Sequence, residues 1–177
     1  MMEELTKLQK EYRDIIKEYM PNIETKVALE IGCDNGQKSE ELMKLFKFYM
    51  GVDKIKSRIK EAIERFKDNK NITFIVDNVE KIAQYNLHPD VIIMMNIYTL
   101  LNSKRVMPLL LKILNRGGII VIEEKKLQLA EKEANIFVWM TKNVAVQKMR
   151  QVLRRVPDCK MKHFEKEDKD IYVLKKN

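Results

Sequence analysis

The sequence predicts an α/β fold: a doubly wound, mostly parallel sheet with helices on both faces and a C-terminal antiparallel hairpin strand. Three observations carry this. Short, mainly apolar runs (KVALEI, FYMGVD, ITFIV, VIIMM, IIVIE) alternate with stretches of helical periodicity, as expected of strands buried on both faces. The first run meets a glycine turn, and the next two end on acids, Asp53 and Asp77. The tail, KMKHFEKEDKDIYVLKK, reads as two alternating segments around Glu167-Asp168-Lys169, a hairpin signature.

The elements follow in order. Residues 3–19 place Leu5, Leu8, Tyr12, Ile15, Ile16 and Tyr19 at three- and four-residue spacing, an amphipathic helix ended by Pro21. Residues 26–31 form the first strand. Helical spacing resumes from Gln37 to Lys47 through Leu42, Leu45 and Phe46, with Lys38 and Ser39 at its solvent-facing start. A second strand, 48–53, leads to a helix over 55–67 with Ile55, Ile59, Ala62, Ile63 and Phe66 inward. The third strand is 72–76. His88-Pro89-Asp90 introduces the fourth, 91–95. A helix from Ser103 to Leu114, the pair Gly117-Gly118 and a fifth strand, 119–123, come next. Residues 130–155 read as one long helix with Ile136, Met140, Val144, Met149, Val152 and Leu153 on its inner stripe, closed by Pro157. The chain is expected to divide into an N-terminal amphipathic helix over 1–22, available as a lid, and one domain over 23–177.

With 177 residues and 45% apolar content, the chain can bury a normal globular core. Cys33 and Cys159 show no metal-ligand spacing, and His88 and His163 stand alone, so no metal site is expected. The N-terminus is charged from Glu3, which is unlike a signal peptide, and no apolar run nears the ~20 residues that span a bilayer. A cytoplasmic setting without membrane contact is expected; oligomeric state is not legible. A net charge of +8 has two readings: an anionic macromolecular partner, or a lysine-rich composition scattered over solvated faces.

Residues 29–40, LEIGCDNGQKSE, carry the chemistry. GCDNGQKS falls one residue short of the phosphate-loop pattern, with Gln37 where glycine should precede Lys38. Glu30 before the turn would also oppose a polyphosphate. A dinucleotide turn fails likewise, because Asp34 and Gln37 occupy glycine positions. A nucleoside with a cationic amino-acid end suits the residues better. Glu30 is a negative charge for an ammonium or sulfonium, Asp53 can accept from ribose hydroxyls, and Asp77 from an adenine amino group.

The motifs EIGCDNG (30–36), GVD (51–53), VDN (76–78), PDVIIMMN (89–96) and NRGGIIVI (115–122) occur in order, each at a predicted strand end or turn. In this the chain resembles the class I S-adenosylmethionine-dependent methyltransferases, from Val27 to Glu124, with the long helix and hairpin matching the family's C-terminal close. The resemblance implies a Rossmann-like, seven-stranded fold and S-adenosyl-L-methionine as cofactor. It implies that Glu30 orients the methionine amino group and that Gly32, Cys33, Asp34 and Gly36 form the turn beside the ligand. Asp53 would hold the ribose, Asp77 the adenine amino group, and Asn78 would frame the ring. Asn96 would line the methionine side and, with Tyr98, is a candidate for the acceptor side. Asp34 stands where the family has a middle glycine, which implies a turn slightly further from the ligand. Lys54 stands where an apolar residue often packs on adenine, which implies either that Ile55 makes that contact or that binding is looser.

The acceptor is less legible. Asn96-Ile97-Tyr98-Thr99 lacks the prolines of the N-P-P-Y motif used on planar amines, and neither cysteine stands where cytosine C5 chemistry needs a thiol. A nearly bare core with a basic surface points to a macromolecular acceptor, RNA or protein. The other readings are a small-molecule methyltransferase using the N-terminal helix as lid, and a non-catalytic subunit that binds S-adenosylmethionine.

Overall fold

The computed structural model describes residues 7–126, 147, 150–151 and 153–177. Among these, seven strands form one sheet: β1 Val27–Ile31, β2 Phe48–Asp53, β3 Ile72–Val76, β4 Val91–Met95, β5 Ile119–Lys125, β6 Cys159–Glu165 and β7 Lys169–Lys176. Their order is β3-β2-β1-β4-β5-β7-β6. The first five run parallel, β7 is antiparallel to β5, and β6 is antiparallel to β7. Both arms of the terminal hairpin therefore extend the sheet. Because β2 and β3 lie on one side of β1 while β4 and β5 lie on the other, the winding reverses between β1 and β4. Loops leaving the carboxyl ends of those two strands diverge there and open a crevice.

Period-two alternation divides the strand side chains between two cores. Leu29, Ile31, Met50, Val52, Ile92, Met94, Ile120, Ile122, Tyr172 and Leu174 face one side. There they pack under helix α4 (Ser103–Ile113) and a 3-10 helix at Val79–Tyr85. Ala28, Tyr49, Val91, Ile93, Ile119, Val121, Ile171 and Val173 face the other. That side is covered by helix α1 (Lys7–Lys17), through Tyr12, Ile15 and Ile16, and by helix α2 (Glu40–Met43), through Leu42 and Met43. The N-terminal helix is thus part of the second core.

Several sequence expectations change. Residues 37–39 are turn, α2 is a single short helix, and Ser39 is fully buried rather than solvent-facing. In helix α3 (Lys56–Arg65), Ile59 and Ala62 face inward, whereas Ile55 and Ile63 are 47% and 52% exposed. Ile63 follows Ala62 by one residue, about 100° around the helix, which turns it away from the sheet. The 3-10 helix at Val79–Tyr85 was not anticipated, since its seven residues are too few for a clear 3.6-residue period. Leu5 and the stripe at Ile136, Met140, Val144, Met149 and Val152 lie outside the described residues. Among the described residues no helix is long and apolar enough to cross a membrane.

Gly51 shows how tightly β2 supports the turn after β1. A Cβ there would stand 2.7 Å from both Cys33 Sγ and Phe74 Cδ1. Gly51→Ala is therefore expected to destabilise the fold by about 1–3 kcal/mol, the range for overpacking, as read from denaturant unfolding.

Candidate functional site

A cavity of about 370 Å³ opens at the carboxyl ends of β1, β2, β3 and β4, on the face that carries α4. Gly32, Asp53, Lys54, Ile55, Asp77 and Asn78 line one part of it, all of them residues singled out in the sequence. The opposite wall comes from Ile97, Leu100, Leu101, Asn102 and Val106, with Val79 and Glu80 below.

Asp53 holds the two nearest loops together. Its Oδ2 accepts the Asp34 N–H at 3.0 Å, and its Oδ1 accepts the Ile55 N–H at 2.9 Å. One carboxylate thereby fixes both the glycine turn and the start of α3. Ile55, half-exposed, presents an apolar side chain into the cavity beside Lys54.

The turn itself bends through left-handed backbone at Gly32 (φ 74°), Asp34 (φ 51°) and Gly36 (φ 74°). Gly32 is required sterically as well, because a Cβ would lie 2.8 Å from Ile97 Cγ1. Aspartate tolerates this region better than most side chains, so the departure at residue 34 keeps the turn's path. The Asp34 carboxylate pairs with Arg58 Nε at 3.1 Å, and Asp34 is not among the cavity-lining residues. Its charge is neutralised toward α3.

Asp77 is held by its own loop. Its carboxylate accepts from the Tyr85 hydroxyl, from the Asn78 N–H at 2.7 Å and from Gln84 Nε2 at 3.2 Å. The Tyr85 bond first, then the Asn78 N–H, hold its pKa below the usual carboxylate value. It stays ionised as a fixed acceptor. The Asn78 side chain accepts the Glu80 N–H at 3.0 Å, capping the Val79–Tyr85 helix.

Glu30 lies elsewhere. It shares the face of Ala28, beneath the turn, and accepts from Ser39 Oγ at 2.6 Å and the Tyr49 hydroxyl at 3.1 Å. Burial raises its pKa to about 7 against the pull of those two hydrogen bonds. Neither Glu30 nor Cys33, Gly36 or Asn96 lines the cavity. Burial first, then the charges of Glu30 and Asp53, push the Cys33 thiol far up, so it stays protonated.

Asn96 has φ 57°, and its side chain turns toward β5, where Oδ1 accepts the Lys125 N–H at 2.7 Å. Tyr98 is buried in the core on the α4 side. The sequence reading missed the wall from Ile97 to Val106. The available signal was MNIYTLLNS itself, a left-handed-tolerant asparagine followed by a tight turn and an Asn-Ser helix start. Among the described residues no group of His, Cys, Asp and Glu could hold a metal ion.

Residues 24–175 match the family model described as a methyltransferase domain. No curated protein sequence matches the chain. Solved structures share its fold at low identity. The plantazolicin methyltransferase BpumL in complex with SAH (S-adenosylhomocysteine) is 17% identical with a TM-score of 0.69, over 92% of this chain and 81% of that one. An rRNA methylase from Streptococcus thermophilus is 14% identical with a TM-score of 0.64, over 99% and 98%. The CurJ carbon methyltransferase is 16% identical with a TM-score of 0.68 over 90% of this chain, which spans only 50% of CurJ.

The buried Glu30 makes stability depend on pH. Its folded pKa, about 7, lies above the ordinary value of 4.5, so the folded state binds its proton more tightly than the unfolded chain does. That contribution is complete below about 4.5 and is lost as pH rises through about 7, on the order of 3 kcal/mol in all. Relative to Glu30→Gln, the wild type is expected to lose unfolding free energy across that window and to level off above it. A difference that stays constant from pH 4.5 to 8 would remove this reading of the Glu30 environment.

Proposed function

The chain belongs to the class I methyltransferase-domain family, which uses S-adenosyl-L-methionine, and from that premise we propose that the cavity beside Asp53 binds the cofactor and that a macromolecule, RNA or protein, is the acceptor. The observation that carries the site is the convergence of two strand-end acids and a glycine turn on one cavity. Asp53 accepts from the ribose hydroxyls, and Asp77 accepts from the adenine amino group. Asn78 frames the ring, with Ile55 as the apolar face on which adenine rests. Gly32, without a side chain, lets the backbone approach the methionine end. Gly36, Cys33 and Asp34 shape the turn that carries Gly32.

The cofactor, when bound, supplies a methyl group activated for displacement by its sulfonium centre. The chain's task is to align donor and acceptor on one line and to exclude water. The cavity's mixed lining suits this, with acids at one end and Ile97, Leu101 and Val106 at the other. Glu30 acts from below: through Ser39 it holds the end of the turn. Asn96 positions the chain after β4, and Tyr98 anchors the following turn in the core.

Two features support a large acceptor. Helix α1 packs in the core on the opposite face, and none of its described residues lines the cavity, which speaks for an acceptor that brings its own walls rather than for a lid. An excess of eight positive charges favours an anionic partner.

Asp53→Ala removes both the ribose acceptor and the tie between the two loops. It is expected to weaken S-adenosylhomocysteine binding by more than about tenfold, since hydrogen bonds to a charged group contribute about 1.5–3 kcal/mol; unchanged affinity would place the ribose elsewhere. Incubation with methyl-labelled cofactor in cell extract is expected to label material sensitive to nuclease or to protease. Label resistant to both would make the acceptor a small molecule. Tight cofactor binding with no transfer to any fraction would make the chain a binding subunit.

A further inference from the structure

We propose that Glu124 is a positioning residue for the cofactor cavity: it holds the Tyr98–Leu100 turn, and with it the wall opposite Asp53. This rests on the reading of the cavity as the cofactor site. Glu124 lies near the end of β5 on the face of Ile120 and Ile122, and it is 2% exposed. Its Oε1 accepts the Thr99 N–H at 3.1 Å, and its Oε2 accepts from Thr99 Oγ1 at 3.4 Å. Thr99 sits inside the turn whose neighbours Ile97, Leu100, Leu101 and Asn102 form that wall.

The turn's own backbone bonds are local. Leu100 N–H donates to Ile97 O and Leu101 N–H to Tyr98 O, at 3.0 and 3.1 Å, which closes the turn without fixing it to the sheet. The tie to the sheet comes from β5. At the turn's root, Asn96 N–H donates to Glu123 O at 2.8 Å and Asn96 Oδ1 accepts from Lys125 N at 2.7 Å. At its middle the bond is to Glu124. Along β5 its same-face neighbours are Ile120 and Ile122, and across the strands it pairs with Asp170 of β7, itself 4% exposed and held by Arg150 and His163, so Glu124 sits where that apolar face turns polar. A charged acceptor aimed at a backbone N–H makes a hydrogen bond roughly twice as strong as a neutral one. Ile97, Tyr98 and Leu101 pack on the core, whereas Leu100, at 76% exposure, has little packing to hold it, so the bond to Thr99 adds to that anchoring at the exposed part of the wall.

The consequence for binding follows from populations. When the turn is released, only a fraction of molecules present the wall in place, and apparent affinity falls by that fraction. If the freed turn is in place about one-tenth of the time, affinity falls about tenfold.

The test compares the full-length wild type with Glu124→Ala and Glu124→Gln by calorimetric titration with S-adenosylhomocysteine and by hydrogen exchange at the Thr99 amide. Glu124→Ala is expected to bind about tenfold more weakly and to exchange Thr99 faster. Glu124→Gln keeps a carbonyl acceptor in the same place, so it is expected to fold and to rescue most of the affinity, leaving a loss of about threefold and intermediate exchange. Wild-type affinity and exchange in Glu124→Gln and in any folded Glu124→Ala would overturn the proposal. So would fast Thr99 exchange with unchanged affinity. Asp53→Ala, measured alongside, separates the two readings: if it binds as tightly as wild type, the cavity assignment has failed rather than the role of Glu124.

Discussion

One carboxylate organises the cavity end of this molecule. Asp53 closes β2 and accepts two backbone N–H groups, one from the turn after β1 and one from the start of α3. Parallel strands need long connections, so adjacent strand ends leave their loops free to diverge, and the winding reversal between β1 and β4 separates them further. That carboxylate acts together with Arg58, which pairs with Asp34, and with the Val52 carbonyl, which accepts from Gly32 and Cys33, to hold the two loops toward each other. With it, the glycine turn, the α3 start and the cavity floor become one unit. The left-handed residues Gly32, Asp34 and Gly36 then curve the turn over the sheet edge.

The second organising element is the polar layer inside the opposite core. Tyr12 of α1 donates to Glu123 Oε2 at 3.0 Å, and Lys169 donates to the same oxygen at 2.8 Å while pairing with Glu11 at 2.6 Å. Burial works to lower the Lys169 pKa, yet the bonds to Glu11 and Glu123 leave it raised, so the ammonium persists. Burial and then Glu123 push the Tyr12 phenol well up, so it remains a donor. These contacts join the N-terminal helix to the ends of β5 and β7. The helix is thereby committed to the core face away from the cavity, which is the physical basis for preferring an acceptor that brings its own walls.

How much of this the sequence held follows from which signals are local. Apolar runs ending in Asp53 and Asp77 made the sheet and the acid line legible, because a strand and its last residue are contiguous. The hairpin was legible from its turn chemistry at Glu167-Asp168-Lys169. What stayed hidden depended on contacts far apart in sequence. Ser39 looked like a solvent-facing helix start, but it donates to Glu30, and only the fold brings that carboxylate beneath it. Asp34 looked like a defect in a glycine turn, and its compensation is Arg58, on another element. Glu124 gave no signal, since nothing in IIVIEEK marks which glutamate meets the turn after β4.

On the proposed reading, the crevice beside Asp53 takes a cationic nucleoside and not a nucleoside triphosphate, despite the near-match of residues 32–39 to a phosphate loop. Calorimetric titration of the purified chain with S-adenosylmethionine, S-adenosylhomocysteine and ATP addresses it directly. Saturable one-to-one binding of the first two and no heat from ATP are expected; binding of ATP alone would overturn the assignment.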